Sequence, residues 1–453
     1  MLVERRWLAA RLRRHLTELI RLAAPVVVTR AGILTMAAVD VAMLGRTTVD
    51  QVAYHGLGVA PFVVITVTGI GLLFGTVVMT SHAVGREQFA ECGPVWRRSL
   101  PYAALLGLIA AALCFFGTPF FLFTGQLEDI ALGAGSVIAI LGLGAPGTLM
   151  FTTTAFFLEG LRRPLPAMMV MIAANALNVL LNSVLIFGNL GFPALGADGA
   201  ALSTTIVRTG MAAVLIAYVW RMRDHERYGV RLPFGSRWWR AGAHHRRVGF
   251  PAGASYGIES VAFGAISFYA GMLGVLALAS YTLQHIVFAL IFMVALGIAS
   301  ATSVRVGIAH GREDWADRAL AGWTGLGLVA VVLGGCGGIL LVWPDAIAAI
   351  FTSEPSLLAA TAPLIALSAY ALIADGGQIV IASALRGAGE TWMPTAMHVV
   401  SYVLVMIPAC WIFAFPMGYG AAGLVAGIIV ASVVSVTLLT IRFWLISRRA
   451  NQI

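Results

Sequence analysis

The segment LAAPVVVTRAGILTMAAVDVAMLGR (residues 22–46) is an apolar run long enough to cross a bilayer as one helix, and part of its pattern returns later in the chain. Pro25 recurs 226 positions later as Pro251, and Gly85-Arg86-Glu87 recurs at the same distance as Gly311-Arg312-Glu313. Two more matches follow in the same order at a distance of 228: Phe123-Thr124 with Phe351-Thr352, and Pro166 with Pro394. Ordered matches at a nearly constant distance indicate an internal duplication.

Apolar segments follow one another along the whole chain. Hydrophobic residues make up 60% of the 453 residues and charged residues 11%, whereas soluble proteins contain roughly 25% charged residues. We expect membrane spans at 22–44, 52–80, 99–122, 131–158, 165–188, 197–220, 248–272, 276–304, 317–343, 357–384, 392–415 and 420–446. The sequence therefore predicts an all-α membrane protein of twelve transmembrane helices, and a duplicated membrane unit is typical of a transporter.

The basic residues are all arginine, and their distribution predicts the orientation. Of the 29 arginines, 26 fall on one side of the predicted spans and one, Arg46, falls on the other. By the positive-inside rule both termini are expected in the cytoplasm, and we expect a bacterial cytoplasmic (inner) membrane location. The net charge of +9 thus reflects inner loops and not a nucleic-acid surface. Because lysine is absent, a P-loop ATPase and a Schiff-base enzyme are excluded.

A polar stretch with eight arginines separates the two halves at residues 221–247. We expect an N-terminal six-helix lobe at 1–220 with a cytoplasmic segment at 1–21, a basic cytoplasmic linker at 221–247, and a C-terminal six-helix lobe at 248–453. Residues 4–21 fit either an amphipathic helix on the membrane surface or a solvated tail.

Three carboxylates lie deep in the predicted spans: Asp40, Glu259 and Asp375. A charge at that depth costs at least ~2.5–3.5 kcal/mol on insertion scales, so each must be paired, protonated or bound to a cation. Hydrogen bonds between helices would be the structural alternative. Three such acids shared between the two halves favour a functional role.

Asp40 is expected to have polar partners on the fifth span. Asn175, Asn178 and Asn182 are spaced along one helical face, and Thr204 and Thr205 of the sixth span add hydroxyls. Amide and carboxylate oxygens suit small cations and also relay protons. Asparagines at this spacing also join membrane helices structurally.

The second half has its own polar set. It consists of Glu259, Gln284, Asp375 and Gln378, with Tyr256 and Tyr370 nearby in sequence. His285 and His398 are expected to be packing residues. Arg30 is too far along its helix from Asp40 to pair with it. Arg30 and Arg208 either extend to the inner surface or neutralise an acid on another helix.

Residues 22–46, with Pro25, Val39-Asp40 and Gly45-Arg46, resemble the first helix of the multidrug and toxic compound extrusion (MATE) family. Residues 292–314 and 374–394 resemble the second half of its NorM-like branch. The resemblance implies two six-helix bundles related by a pseudo-twofold axis along the membrane normal. It also implies a protein that is not an enzyme, works as a monomer without a cofactor, and exports amphipathic, often cationic drugs and dyes in exchange for Na+ or H+.

The same resemblance implies roles for individual residues. The residues expected to couple transport to a cation or proton are Asp40, Asn178, Asn182, Thr204, Glu259 and Asp375. If the coupling ion is Na+, its expected ligands are the same residues without Thr204. Substrate binding is expected at Asp40, Glu259, Gln284, Asp375, Gln378, Tyr256 and Tyr370.

We therefore expect a secondary active multidrug exporter that works by alternating access. The main alternative is a lipid or lipid-linked sugar flippase, which would need a basic site for a phosphate, and Arg30 and Arg208 are its support. A membrane-embedded enzyme is the third alternative. The chain has no DDxxD or HExxH motif and no clustered histidines and cysteines, which speaks against it.

Overall fold

The computed structural model describes residues 2–232 and 238–450, and in these ranges the chain is helical without strands. Residues 233–237, in the middle of the predicted linker with Pro233 and Gly235, lie outside the described residues. The predicted all-α membrane fold is confirmed.

Up to residue 241, the described part of the chain contains ten helices, numbered here in chain order. They are α1 Leu2–Leu44, α2 Val49–Leu72, α3 Gly75–Gly85, α4 Cys92–Cys114, α5 Gly117–Phe123, α6 Glu128–Leu143, α7 Ala145–Gly160, α8 Leu165–Leu185, α9 Gly196–Trp220 and the short α10 Trp238–Ala241. Single 3-10 turns occur at Phe89–Glu91 and Asn189–Gly191.

From residue 243 onward, the described chain contains eight more helices. They are α11 Ala243–Met272, α12 Val275–Gly311, α13 Trp315–Val342, α14 Pro344–Ala349, α15 Pro355–Gly387, α16 Trp392–His398, α17 Ile407–Ala414 and α18 Gly420–Ala450. A π-helical segment, Val399–Met406, joins α16 to α17.

Ten spans in the described chain are long and apolar enough to cross a membrane, and α6 with α7, bent by 42° at their junction, makes an eleventh. The predicted span 52–80 is built from α2 and α3, and 392–415 from α16, the π segment and α17. The predicted span 248–272 corresponds to α11, which is continuous but less apolar than the others because it carries Glu259 and several serines and tyrosines. Every predicted span is therefore occupied by helix.

Contacts divide the chain into two units, one of Val28–Gly253 and the other of Met1–Val27 with Ala254–Ile453. The divisions fall inside α1 and inside α11, at equivalent places just after the repeated prolines Pro25 and Pro251. The predicted lobes, 1–220 and 248–453, follow the duplication along the chain and remain a prediction. The contact units instead exchange the first helical segment of each half.

The N-terminal part of α1 is held by charged side chains in the unit of Met1–Val27 and Ala254–Ile453. His15 is buried, and its Nε2 lies 2.8 Å from Oδ1 of Asp317. Arg14 and Arg312 donate to the same carboxylate at 3.2 and 2.6 Å, and Arg305 bridges His15 and Glu18. Residues 11–18 are therefore neither a solvated tail nor a helix that only rests on lipid.

The backbone preserves the duplication. Glu87 and Glu313, the last residues of the repeated Gly-Arg-Glu motif, have φ angles of 62° and 59°. A positive φ at a residue other than glycine costs of order 1 kcal/mol or more, so its recurrence at equivalent positions marks the same helix-ending turn. A Cβ on Gly387 would lie 2.6 Å from the carbonyl oxygen of Ser303, and one on Gly160, its counterpart in the first half, 3.2 Å from that of Val77. The same close helix crossing therefore occurs in both halves.

Two candidate carboxylate sites

Asp40 is the centre of a polar site inside the unit Val28–Gly253. Its side chain, on α1, is 3% exposed. Asn182 Nδ2 on α8 donates to Oδ1 of Asp40 at 2.7 Å, and Thr204 Oγ1 on α9 donates to Oδ2 at 2.7 Å. Three helices thus converge on one carboxylate.

A second layer of hydrogen bonds orients these donors. Asn182 Nδ2 also donates to Asn178 Oδ1 at 3.3 Å. Asn178 Nδ2 donates to Ser203 Oγ at 3.3 Å and to Thr204 Oγ1 at 3.4 Å. The Oδ1 of Asn182 is buried and has no hydrogen-bond partner in the part of the chain described. The site therefore offers one unused carbonyl oxygen beside the carboxylate, which a cation or an added proton would satisfy.

Two residues that the sequence predicts beside Asp40 form their hydrogen bonds with other groups. Asn175 donates to the carbonyl of Met171 in its own helix at 3.0 Å, and Thr205 donates to the carbonyl of Ile140 at 2.8 Å. The structure thus groups Asp40 with Asn178, Asn182 and Thr204, whereas Asn175, which the spacing placed on the same face as the other two asparagines, bonds within its own helix.

Sequence reasoning missed or left open three polar neighbours of this site. Ser203 joins through Asn178. His55 on α2 is 4% exposed and lies within electrostatic range of Asp40. Arg208, one helical turn beyond Thr204, is also in that range, and its guanidinium lies 5.5 Å from the Phe62 ring centroid. The one signal in the sequence was a polar residue inside an apolar span.

The second site lies in the unit with Ala254–Ile453 and begins at Glu259 on α11. Tyr402 Oη donates to Glu259 Oε1 at 3.0 Å and accepts from Gln378 Nε2 at 2.8 Å. Gln378 Oε1 accepts from Ser435 Oγ at 3.4 Å. A continuous hydrogen-bonded chain therefore runs from α11 through the π segment to α15 and α18.

Asp375 is tied to the same pair of helices. Its Oδ1 accepts from Ser432 Oγ at 3.1 Å. Asp375 and Gln378 are three residues apart on α15, and Ser432 and Ser435 are three apart on α18. Because residues at this spacing share a helix face, the two serines line up with the two α15 side chains.

Three predicted members stand apart from this chain of hydrogen bonds. Gln284 is 3% exposed, and its Oε1 has no partner among the described residues. Tyr370 is 62% exposed on α15. Tyr256 lies under the guanidinium of Arg386, which is 5.4 Å from the ring centroid.

Arg386 is the polar residue of this unit that sequence reasoning placed in an inner loop. Its side chain is fully buried on α15, and its Nη2 donates to Ser255 Oγ at 2.9 Å. Ser255 in turn bonds to His398 Nδ1. The charge of Glu259 also acts on Arg386. His285, by contrast, packs against Tyr281 with ring centroids 5.9 Å apart, as expected.

Arg30 has a partner on another helix. Its Nη2 lies 3.4 Å from Oε1 of Glu159 on α7, and its guanidinium lies 5.2 Å from the Phe156 ring centroid. Glu159 was expected at the membrane edge, but its side chain is buried. Of the two alternatives for Arg30, the structure shows neutralisation of an acid.

Oxygen atoms are the ligands that either site offers. Among the described residues, no three His, Cys, Asp or Glu side chains come close enough to hold a metal ion together. A small cation would therefore depend on amide and hydroxyl oxygens besides one or two carboxylates.

Comparison with known proteins supports the duplication and identifies the family. The sequence profile of the MatE family matches twice, at residues 25–184 and 251–412, beginning at Pro25 and Pro251. A probable multidrug resistance protein NorM of Caulobacter vibrioides is 39% identical over 441 residues, 96% of this chain and 92% of that protein.

Solved structures show the same fold. The eukaryotic MATE transporter AtDTX14 aligns with a TM-score of 0.88 at 18% identity, over 98% of this chain and 99% of that one. A MOP superfamily transporter from Pyrococcus furiosus aligns with a TM-score of 0.84 at 19% identity, over 95% and 96%. That protein is described as having a binding pocket of reversed polarity, which suggests a different function for it. The chain therefore belongs to the MatE family, and within it to the NorM-like transporters.

Proposed function

We propose that this protein is a multidrug exporter of the bacterial inner membrane, with both termini cytoplasmic. In this proposal it exchanges hydrophobic, often cationic compounds for Na+ or H+ by alternating access. It works as a monomer and needs no cofactor. The relatives named for multidrug resistance support the class of cargo. The 26 arginines on one predicted side support the orientation.

The environment of Asp40 is the observation that carries the coupling proposal. Its two hydrogen-bond donors, Asn182 and Thr204, are neutral. Arg208 is close enough to act on Asp40 electrostatically, but among the described residues the two form no ion pair at 4.0 Å or less. Neutral hydrogen-bond donors only partly compensate the cost of keeping an ionised carboxylate inside a membrane helix, and a nearby positive charge would compensate more of it. A coupling ion would supply that charge directly.

Both coupling ions are chemically compatible with this site. For Na+, the ligands would be the Asp40 carboxylate and the carbonyl oxygens of Asn178 and Asn182. For H+, the protonated carboxylate becomes a donor, and the Oδ1 of Asn182, which has no partner among the described residues, would accept this hydrogen bond after the amide turns. In either case, neutralising Asp40 weakens its attraction for a cationic drug.

Glu259 and Asp375 would serve substrate and ion in the second site. Their hydrogen-bond donors, Tyr402 and Ser432, are also neutral. Carboxylates that hold the drug in one step and the coupling ion in the next make the two ligands compete. This competition is the basis of exchange in the proposed mechanism.

The first test is dye transport in proteoliposomes driven separately by a Na+ gradient and by a pH gradient. We expect Asp40→Asn to abolish the response to whichever gradient drives the wild-type protein. Asp129→Asn is the matched control, because Asp129 is an exposed acid. Equal ion-driven transport by Asp40→Asn and the control would overturn the coupling role.

A flippase remains the second candidate because Arg386 and Arg208 are cations within membrane helices. In this alternative, either arginine would hold the phosphate of a lipid or lipid-linked sugar within its own unit. Arg30 supports the flippase less than the sequence alone suggests, because Glu159 neutralises the charge of Arg30. Movement of labelled phospholipid between leaflets, without dye export under either gradient, would favour the flippase.

A further inference from the structure

A cavity of about 650 Å³ opens beside the C-terminal end of α9, within the unit Val28–Gly253. We call it the α9 pocket. Its lining includes Arg163, Val214, Ala217, Tyr218, Arg221 and Arg223. None of these residues belongs to either carboxylate site.

The α9 pocket has an apolar part and a basic part in a fixed order. Val214, Ala217, Tyr218 and Arg221 recur at three- and four-residue intervals, so they share one face of α9 and its continuation. Val214 and Ala217 belong to a membrane span that ends at Trp220, and the arginines lie just past that end. The arginine distribution predicts that this end faces the cytoplasm. The pocket thus lies where the hydrocarbon core meets the headgroups of the inner leaflet.

The charges around the pocket leave an excess of two positive groups. Asp224 also lines it and pairs with Arg163, with Nη2 and Oδ2 2.6 Å apart. Partial burial pushes the pKa of Asp224 up, but the hydrogen bond and charge of Arg163 outweigh it and leave that pKa below its ordinary value. Asp224 is therefore ionised at neutral pH and occupied by Arg163. Arg221 and Arg223 are exposed at the mouth.

We propose that the α9 pocket binds an anionic phospholipid of the inner leaflet. Arg221 and Arg223 contact the headgroup phosphate, and an acyl chain lies along Val214 and Ala217. Basic pockets at the cytoplasmic ends of membrane helices are suited to anionic headgroups. Free phosphate would use the arginines only, whereas a lipid uses both parts of the pocket. Tyr218, half-exposed between the two parts, suits the headgroup level.

The test is lipid binding by the full-length protein in detergent, measured by native mass spectrometry. Phosphatidylglycerol and phosphatidylcholine of the same chain length are titrated in parallel. We expect phosphatidylglycerol to bind on the order of tenfold more tightly. The variant Arg221→Gln/Arg223→Gln should lose this preference, since each arginine near an anionic surface contributes about a factor of five.

The matched control is Arg86→Gln/Arg240→Gln. These two arginines are exposed, lie on the same predicted side and do not line the pocket. The control should keep the preference for phosphatidylglycerol although it removes the same net charge. Loss of preference in both double variants would show a general surface-charge effect and overturn the site.

Two further arms test the apolar wall and the source of the phosphate. Ala217→Phe fills the pocket without changing charge and should weaken phosphatidylglycerol binding severalfold. Millimolar inorganic phosphate should not displace the lipid. Unchanged lipid binding by Ala217→Phe, or full displacement by inorganic phosphate, would overturn the assignment to a lipid.

Discussion

The Nη2 atom of Arg30 on α1 lies 3.4 Å from Oε1 of Glu159 on α7, so an ion pair joins two membrane helices. In the second half, Tyr256 lies 226 positions after Arg30, and Arg386 precedes Gly387 as Glu159 precedes its counterpart Gly160. There the charged member is a cation, and its partner is an aromatic ring 5.4 Å away. The acid of the first-half pair, Glu159, therefore corresponds to a cation, Arg386, in the second half.

Breaking the Arg30–Glu159 pair from one side should destabilise the protein. Glu159→Gln leaves the guanidinium of Arg30 without its counter-ion in a site where Arg30 is 13% and Glu159 4% exposed. Removal of one partner of a buried pair typically costs about 3–5 kcal/mol. We expect a clear fall in the unfolding temperature in detergent. This temperature is measured by size-exclusion chromatography of samples heated beforehand.

The double variant Arg30→Met/Glu159→Met removes both charges of the pair and so tests whether the loss in Glu159→Gln comes from the unpaired charge of Arg30. Because apolar replacements of a whole buried pair are often tolerated, it should recover most of the loss. If Glu159→Gln were as stable as the wild-type protein, the pair would make no net contribution.

The hydroxyl of Thr204 should matter for coupling more than its methyl group does. Thr204→Val removes the donor to Asp40 Oδ2 and keeps the side-chain shape. Hydrogen bonds to charged groups contribute about 1.5–3 kcal/mol, or at least roughly tenfold in an equilibrium constant. We expect the ion concentration at half-maximal dye transport to change by about that factor. Thr204→Ser keeps the hydroxyl and should behave like the wild type, and identical ion dependence in all three proteins would exclude a role for this bond.

The first carboxylate site is more predictable from sequence than the second. Asn178 and Asn182 are polar residues at helical spacing in an apolar span, so their common face is visible beforehand. Tyr402, Ser432 and Ser435 gave no comparable signal, because tyrosine and serine in membrane helices usually bond locally or pack. Only the fold brings them within hydrogen-bond distance of Glu259, Gln378 and Asp375.

For the helices too, features that depend on local sequence are predictable, and features that depend on contacts between distant segments are not. Hydropathy predicts twelve segments, because the length of an apolar run is a local property. It does not predict that the span 52–80 divides after Leu72, or that Glu159 lies buried against Arg30. The burial of Glu159 depends on the side chain that a helix distant in sequence places beside it.

The hydroxyl of Tyr402 should be needed for dye binding at the second site. Tyr402→Phe removes the donor to Glu259 and the acceptor of Gln378 together. Buried polar groups left without partners cost about 1–3 kcal/mol each. We expect dye binding, measured by fluorescence anisotropy, to weaken by roughly tenfold or more. Tyr419→Phe is the control because Tyr419 is 59% exposed, and equal affinities of the two variants would place Tyr402 outside the binding function.

Gly387 permits the close crossing of α12 and α15, and a single methyl group should disturb it. A Cβ at this position would lie 2.6 Å from the carbonyl oxygen of Ser303, and a backbone oxygen cannot move without separating the helices. Overpacking of this kind costs about 1–3 kcal/mol. We expect Gly387→Ala to lower the unfolding temperature in detergent. Gly327→Ala, on α13, has open space at its Cβ and should be neutral or slightly stabilising.

The duplication extends this prediction to the first half. Gly160 is the counterpart of Gly387 there, and its Cβ would lie 2.7 Å from Cβ of Thr80. Gly160→Ala should therefore shift the unfolding temperature in the same direction. The Cβ of Thr80 is fixed by its own backbone, as the Ser303 carbonyl is, but the nearest backbone oxygen at Gly160, that of Val77, lies at 3.2 Å against 2.6 Å at Gly387. If the approach of the two backbones is limiting, the effect at Gly160 should therefore be the smaller. A larger effect at Gly160 than at Gly387 would mean that side-chain contacts, not backbone approach, limit these crossings.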